Sequence, residues 1–255
     1  MPQWTGRFSL EGRRALVTGA TKGIGFETCR VLADAGADIA AVGRDADGLA
    51  EVKKEVEGLG RKCVAIAADL ATVEGPRQAA QAALEAFGTI DILVNNAGLA
   101  GASPMAVASF RELDPADWDA YLRANIVGVM NCCKAVIDPM CEAGWGRIIT
   151  ISSGAGTAGT RMGVSPYAAG KGGGIAFTRT LALEVARSGV TANSLALGLM
   201  STGDAGYDEQ LGRTVPIGRL GRPAEVGAAC VWLASDEAGW LTAQTIELNG
   251  GAITT

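Results

Sequence analysis

Histidine is absent from the 255-residue sequence, and this absence excludes several kinds of chemistry. Without an imidazole, the chain cannot build a Ser-His-Asp or Cys-His catalytic site. A zinc site with histidine ligands is excluded too, and the six cysteines form no C-x-x-C pair typical of metal or dithiol motifs. Acid–base chemistry must therefore come from tyrosine, lysine, carboxylate or cysteine side chains, and we expect no metal.

The chain also lacks an excess of positive charge, since 22 Lys and Arg face 27 Asp and Glu for a net charge of −5. Proteins that bind nucleic acids or anionic membranes carry basic patches, so neither partner is expected. No run of 18 apolar residues is present, and residues 1–10 lack the apolar segment of a signal peptide. We expect reduced cysteines and a cytoplasmic protein.

The sequence does contain short apolar, β-branched runs that alternate with longer helical patterns. The predicted strands cover residues 15–17, 38–42, 63–67, 90–94, 147–151, 190–196 and 245–248. This alternation predicts βαβ units, which give a parallel sheet covered by helices on both faces. We therefore predict a single α/β domain over residues 1–255, with a Rossmann-like, doubly wound parallel sheet of about seven strands.

Two polar, glycine-containing segments, residues 99–113 and 201–216, fit neither the strand nor the helix pattern. Both follow predicted strands, so both should lie at the carboxyl edge of the sheet. Ligands bind at this edge in open α/β folds. The two segments are therefore the candidate substrate-contacting loops.

The first predicted strand runs into a glycine-rich turn, residues 18–25, with the spacing G-x-x-x-G-x-G. Glycines let the backbone turn tightly and approach a pyrophosphate, while the N-terminus of the next helix offers free N–H groups to the anion. A turn that binds no ligand is the alternative. The predicted cofactor-binding residues here are Gly19, Thr21, Lys22, Gly23, Ile24 and Gly25.

The end of the second predicted strand bears on the choice of cofactor. An NAD site places an acidic residue there to bind the ribose 2′-hydroxyl, but this chain has Arg44, with Lys22 nearby in the glycine turn. The next residue, Asp45, is better interpreted as a helix cap. Two cations favour a 2′-phosphate and hence NADP(H). Alternatively, both are solvated charges and the pocket also accepts NAD(H).

Tyr167 and Lys171 are four residues apart and share one face of a predicted helix. Since a nearby cation favours the phenolate, we expect Lys171 to lower the pKa of Tyr167. Upstream, a predicted strand ends in Ser152 and Ser153, whose hydroxyls could bind a substrate oxygen. The Y-x-x-x-K spacing is weak evidence by itself and becomes informative only with the other motifs.

The motifs together resemble those of the short-chain dehydrogenase/reductase family, in order and rough spacing, from Gly12 to Gly251. The matching residues are the turn 18–25, the run 95–98, Asn125, Ser153, Tyr167 and Lys171. The resemblance implies that Tyr167 is the catalytic acid and that Ser153 orients the substrate carbonyl. It also implies that Lys171 tunes Tyr167 and holds the nicotinamide ribose, and that Asn125 holds a water for proton relay.

Further cofactor contacts follow from the same resemblance. It implies that Asn95, Ala97 and Gly98 pass the adenosine ribose and that Asp69 and Leu70 contact the adenine. Gly198, Met200 and Thr202 match the loop that binds the carboxamide and pyrophosphate. Simpler structural roles remain as alternatives: a turn at 95–96, and helix caps at Asp69 and Asn125.

The chain departs from the family where Leu197 replaces the usual proline before Gly198. We expect Leu197 to reach the nicotinamide or the substrate, and we assign substrate contacts to Gly154, Met162, Leu197 and Tyr207. Segments 216–223 and 248–251 resemble the 3-oxoacyl-acyl-carrier-protein reductase-like branch, and this resemblance implies a homotetramer.

The leading hypothesis is therefore an NADP(H)-dependent enzyme that reversibly reduces a ketone to a secondary alcohol, with a small-molecule carbonyl or alcohol as substrate. The alternatives are a 3-oxoacyl-acyl-carrier-protein reductase and an NAD-dependent secondary-alcohol dehydrogenase. A non-catalytic nucleotide-binding scaffold is a further alternative, although such a protein should have lost Tyr167, Lys171 or Ser153.

Overall fold

The computed structural model describes residues 7–98 and 108–254. The strands are β1 (Arg14–Thr18), β2 (Asp38–Gly43), β3 (Cys63–Ala67), β4 (Ile92–Asn95), β5 (Gly146–Ser153), β6 (Val190–Leu197) and β7 (Thr245–Leu248). The α-helices in these residues are α1 (Gly23–Asp34), α2 (Ala46–Gly58), α3 (Glu74–Phe87), α4 (Trp118–Leu122), α5 (Gly128–Ala143), α6 (Ser165–Val185), α7 (Ala205–Gly212) and α8 (Pro223–Ala234).

The seven strands form one parallel sheet in the order β3-β2-β1-β4-β5-β6-β7. The chain winds outward from β1 to β3 and then returns to place β4 on the other side of β1. This reversal leaves a crevice at the carboxyl ends of β1 and β4, where α/β folds bind their ligands. The predicted fold class, a doubly wound Rossmann-like sheet, is confirmed.

Side chains on the two faces of the sheet belong to two separate hydrophobic cores. Val17 and Val94 point to the face covered by α1, α2 and α8, whereas Leu16 and Leu93 point to the face covered by α3, α5 and α6. Strands buried on both faces need apolar side chains at successive positions, which explains the continuous apolar runs in the sequence.

Two details differ from the sequence-based expectation. Segment 201–216 contains the short helix α7, whose first turn is capped by the Asp204 carboxylate as it accepts the N–H groups of Gly206 and Tyr207. The sequence pattern also predicts one long helix over residues 115–140, whereas the structure interrupts it with a π-helical turn, Arg123–Val127. Of the candidate loop 99–113, residues 99–107 lie outside the described part of the chain.

Among the described residues, no helix combines the length and the apolar character needed to cross a bilayer. All six cysteines are free thiols, and five of them are buried. The predicted cytoplasmic location stays a prediction.

Candidate active site

A cleft of about 1520 Å³ opens at the carboxyl edge of the sheet, and nearly all of the predicted site residues line it. From the cofactor prediction these are Gly19, Thr21, Lys22, Gly23, Ile24, Gly25, Arg44, Asp69, Leu70, Asn95, Ala97, Gly98, Tyr167, Lys171, Gly198, Met200 and Thr202. The volume exceeds the few hundred cubic ångströms of a typical ligand pocket, so a dinucleotide and a second molecule can share it.

The glycine turn between β1 and α1 has a shape that side chains would not allow. Gly19 and Gly23 have φ angles of +64° and +55°, a region that favours glycine. A Cβ on Gly25 would lie 2.0 Å from the carbonyl oxygen of Gly19. No side chain caps the N-terminus of α1. The turn therefore presents bare backbone and a helix N-terminus to the cleft, as a pyrophosphate requires.

Asn96 holds this turn in place, a role that the sequence analysis did not assign. Its side-chain amide donates to the carbonyl oxygens of Thr18 and Gly19, at 2.9 and 3.0 Å. In return, the Thr18 hydroxyl accepts the N–H groups of Asn96 and Ala97, each at 2.9 Å. The signal was the Asn-Asn-Ala-Gly run, which was assigned to the ribose through Asn95 instead.

Lys22 and Arg44 are both exposed at the rim of the cleft. Neither forms an ion pair or a side-chain hydrogen bond with another described residue. Asp45 is a helix cap, as expected, because its carboxylate accepts the N–H of Asp47 at the start of α2. The two cations are therefore free for an anionic ligand, and the neighbouring carboxylate is engaged elsewhere.

Asp69 and Asn95 line the crevice and also form hydrogen bonds that stabilise the fold. The Asp69 carboxylate accepts the N–H of Ala71 at 3.1 Å and so fixes the turn after β3. The Asn95 amide donates to the Cys133 thiol of α5 at 3.3 Å, while its Oδ1 has no hydrogen-bond partner. The turn-forming role of Asp69 and its position on the cleft wall are thus compatible.

The acid–base residues meet where β5 ends and α6 begins. Ser153 is the last residue of β5, and Tyr167 lies in the first turn of α6. One turn further, the Lys171 ammonium donates to the carbonyl oxygen of Ile151 at 2.9 Å and lies 6.0 Å from the centre of the Tyr167 ring. The hydroxyl of Ser152 donates to the backbone oxygen of Lys171 at 3.1 Å, which ties the strand to the helix.

Burial dominates the protonation of both groups. It raises the pKa of Tyr167, and a hydrogen bond with Ser153 opposes this rise in part. It lowers the pKa of Lys171 from 10.5 to about 8. The expected fall in the Tyr167 pKa does not occur in this structure, because burial dominates, and the role of Lys171 in tuning Tyr167 stays a prediction. A phenol that keeps its proton at neutral pH suits a proton donor.

Asn125 lies behind the cleft, in the π-helical turn, and is 2% exposed. Its amide donates to the Tyr121 carbonyl at 3.0 Å, while Oδ1 has no partner and faces Gly98, where a Cβ would lie 2.7 Å away. This Cβ position on Gly98 is also 3.1 Å from the Lys171 ammonium nitrogen. An unpartnered buried acceptor so near the ammonium suits a bound water between the two groups.

Glycines on α6 let it pack directly against this π-helical turn. A Cβ on Gly170 would lie 3.0 Å from the Asn125 Cβ, and a Cβ on Gly174 would lie 3.1 Å from the backbone carbonyl oxygen of Asn125. A Cβ on Gly173 would lie 2.6 Å from the Ile126 side chain. The close approach of two backbones therefore sets the distance between Asn125 and the acid–base pair.

The loop after β6 forms part of the wall of the cleft. Leu197 is the last residue of β6, is 6% exposed and lines the cleft in place of the family's proline. A Cβ on Gly198 would lie 2.7 Å from the Asn249 Cα, so only glycine fits there. The Asp208 carboxylate of α7 accepts hydrogen bonds from Ser201 and from Thr202, which fixes the loop.

Three of the four predicted substrate residues, Gly154, Met162 and Leu197, line the cleft. Tyr207 does not line the cleft: it lies half exposed on α7, where Asp204 accepts its backbone N–H, so its assignment as a substrate contact stays a prediction. Cleft residues missed by the sequence analysis include Asp119 in α4 and Arg123 at the start of the π-helical turn, together with Ala252 and Ile253 after β7. Helical spacing signals the first pair, whereas no motif signals the second.

Comparison with known proteins agrees with this geometry. The family model described as short chain dehydrogenase matches residues 13–210. The chain belongs to this family. As a short-chain dehydrogenase, it is an oxidoreductase that acts on CH–OH and C=O groups with a nicotinamide cofactor. The glycine turn and the two exposed cations described above fit such a cofactor.

Relatives of this short-chain dehydrogenase match it over nearly their whole length. The 3-oxoacyl-[acyl-carrier-protein] reductase of Vibrio harveyi is 37% identical, over 95% of this chain and 98% of its own. The acetoacetyl-CoA reductase of Cupriavidus necator is 35% identical, over 94% and 97%. A short-chain type dehydrogenase/reductase from Mycobacterium marinum superposes with a TM-score of 0.90 at 30% identity, covering 97% of this chain and 98% of that one.

Proposed function

We propose that this protein reduces the ketone of a 3-oxoacyl thioester or a related small ketone to a secondary alcohol, with NADPH as cofactor. One observation carries the proposal: Ser153, Tyr167 and Lys171 line a single cleft together with the glycine turn, and the Lys171 ammonium lies 6.0 Å from the centre of the Tyr167 ring. Reduction needs a proton donor at the carbonyl oxygen, and a tyrosine phenol, whose ordinary pKa is about 10, holds its proton at neutral pH.

The preference for NADPH rests on the two free cations, Lys22 and Arg44. A ribose 2′-phosphate brings an anion to the end of β2, where guanidinium and ammonium groups bind it directly. The last residue of β2 is Gly43 rather than an acidic residue, and Asp45, which also lines the cleft, uses one carboxylate oxygen to cap α2. The reverse oxidation uses the same residues.

When bound, NADPH supplies the hydride that converts the carbonyl carbon to an alcohol carbon. The Ser153 hydroxyl holds the carbonyl oxygen, and Tyr167 donates its phenolic proton to that oxygen. Lys171 would bind the ribose hydroxyls and return a proton to Tyr167, and a water held by Asn125 behind Lys171 would resupply that proton. The Lys171 ammonium lies 6.0 Å from the centre of the Tyr167 ring.

The thioester class comes from the relatives, since two of them are named for reduction of 3-oxoacyl or acetoacetyl thioesters. We also propose that the protein assembles as a homotetramer. Large apolar side chains that a monomer leaves in water support this, among them Leu183 on α6, Met130 on α5 and the fully exposed Trp240 beside β7. Size-exclusion chromatography with light scattering tests the assembly.

The first experiment titrates wild-type protein and Arg44→Ala with NADPH and NADH in parallel, following fluorescence. We expect wild type to bind NADPH at least tenfold more tightly, about 1.4 kcal/mol. Arg44→Ala should lose most of that preference while NADH binding stays within twofold. Arg77→Ala, at an exposed position on α3, is the matched control. Equal or tighter NADH binding by wild type would favour NAD-dependent oxidation of secondary alcohols.

The second experiment measures turnover of 3-oxoacyl thioesters and simple ketones by wild type and Tyr167→Phe. The variant should bind NADPH like wild type and lose at least a thousandfold in kcat/KM, because only the proton donor is removed. A wild-type protein that binds the cofactor but reduces no ketone and oxidises no alcohol would point to a nucleotide-binding scaffold instead.

A further inference from the structure

The segment that follows β7 folds back toward the catalytic serine. Asn249 fixes the turn, because its side-chain oxygen accepts the N–H of Gly251 at 2.9 Å and its amide donates to the Ile253 carbonyl at 3.1 Å. Gly250 and Gly251 have φ angles of +64° and +86°, which reverse the chain direction. The result is a defined tail, residues 249–253, rather than an extension leaving the sheet.

This tail delivers the side chain of Ile253 to the wall of the catalytic cleft. A Cβ built on Gly154 would lie 2.4 Å from the Ile253 Cδ1, so the side chain touches the backbone of Gly154. Gly154 directly follows Ser153, and consecutive Cα atoms are about 3.8 Å apart. The end of Ile253 therefore lies within one residue of the hydroxyl that is proposed to hold the carbonyl oxygen.

We propose that Ile253 determines substrate size by filling the space beside Ser153 where the alkyl end of the substrate would extend. The inference deepens the proposed function and rests on it, because the carbonyl must bind at Ser153 and Tyr167. An aliphatic branch in a substrate pocket discriminates by volume, and each methylene gained or lost changes kcat/KM by about 10- to 200-fold.

Gly154 and Ile253 share this space, because a Cβ at position 154 would overlap the end of the Ile253 side chain. An alanine at 154 must therefore displace that flexible end. Shortening residue 253 should therefore relieve Gly154→Ala. Independent effects would instead give a double variant equal to the product of the two single changes.

The test measures kcat/KM for N-acetylcysteamine 3-oxoacyl thioesters of four, six and eight carbons. The variants are Ile253→Ala, Ile253→Val and Ile253→Phe. Ile217→Ala is the matched control, since Ile217 is exposed and packs against Gly250 of the same tail but does not line the cleft. Binding of each thioester to the NADPH complex is measured alongside, by quenching of the cofactor's fluorescence.

We expect Ile253→Ala to raise the eight-to-four-carbon ratio of kcat/KM at least tenfold, and Ile253→Val to raise it less. Ile253→Phe should lower the ratio, and Ile217→Ala should leave it within twofold. Gly154→Ala should lose activity on all chains, and adding Ile253→Ala should restore it at least tenfold. NADPH dissociation constants should stay within threefold throughout.

A ratio that stays within twofold in Ile253→Ala, with all three thioesters affected alike, would overturn the inference and leave Ile253 a support for the Ser153 loop. If wild type binds the thioesters without reducing them, the proposed function fails, and the ratio of dissociation constants decides the role of Ile253 by the same criterion. A wild-type protein that binds none of them overturns both proposals.

Discussion

Replacing Lys171 with methionine should separate what this residue does for catalysis from what it does to stability. The side chain is 7% exposed, and its ammonium donates to the Ile151 carbonyl. Burial brings its pKa down to about 8. Below that pH the folded protein holds a charge that the unfolded chain, with the same lysine in water, accommodates more easily.

The pKa values set the size of this effect. A fall from 10.5 to about 8 corresponds to about 3 kcal/mol of unfavourable free energy below pH 8. Methionine removes that cost but loses a hydrogen bond worth about 1 kcal/mol. We therefore expect Lys171→Met to raise the free energy of unfolding by about 2 kcal/mol at pH 7, while reduction of ketones is lost.

The pH dependence gives the sharper test. Between about pH 8 and 10.5 the unfolded lysine keeps its proton and the folded one has lost it, so wild-type stability rises with pH across this window. The advantage of Lys171→Met should shrink accordingly and turn into a disadvantage of about 1 kcal/mol by about pH 10.5, where only the lost hydrogen bond remains. Urea unfolding at several pH values measures it, with the exposed Lys54→Met as control. A variant no more stable than wild type at pH 7, or with a pH-independent advantage, would refute the reasoning.

Three further predictions concern the cofactor turn and the catalytic pH. With the pKa of Lys171 near 8, kcat/KM for reduction should fall as the pH rises through that value; a flat profile of NADPH consumption would contradict this. Gly25→Ala should abolish NADPH binding, since its Cβ would lie 2.0 Å from a carbonyl oxygen, whereas Gly58→Ala, with nothing within 4 Å, should bind like wild type in the same titration. Asn96→Ala should lower the urea-unfolding free energy by about 1–3 kcal/mol, because two carbonyls lose their donor; a loss under about 0.5 kcal/mol would argue against that role.

The sheet could be predicted from the sequence because its strands are continuous apolar runs, which buried parallel strands must be. Helix α7 could not, since its eight residues include two glycines and no apolar stripe, and its start depends on the Asp204 cap. The π-helical turn at Arg123–Val127 could not be predicted from the sequence either. It accommodates the close packing of α6, which is a tertiary effect rather than a local preference.

The candidate site shows the same contrast between features set by local sequence and features set by tertiary contacts. Residues in contiguous motifs, such as the glycine turn, were found because each motif carries its own chemistry. Ile253 was missed because its role arises from a contact with Gly154, 99 positions away in the chain. The rise in the Tyr167 pKa could not be predicted, because spacing on a helix shows a neighbouring cation but not how far burial excludes water.

The glycine-lined face of α6, which packs against the π-helical turn, has a consequence for how the sequence of the enzyme can evolve. Side chains at an interface can exchange for others of similar volume, but a surface made of Gly170, Gly173 and Gly174 offers nothing to exchange. Any substituent there acts as a wedge beneath the helix that carries Tyr167 and Lys171. New substrate preferences should therefore arise through the rim and the tail, while the spacing of the proton-transfer groups is inherited almost unchanged.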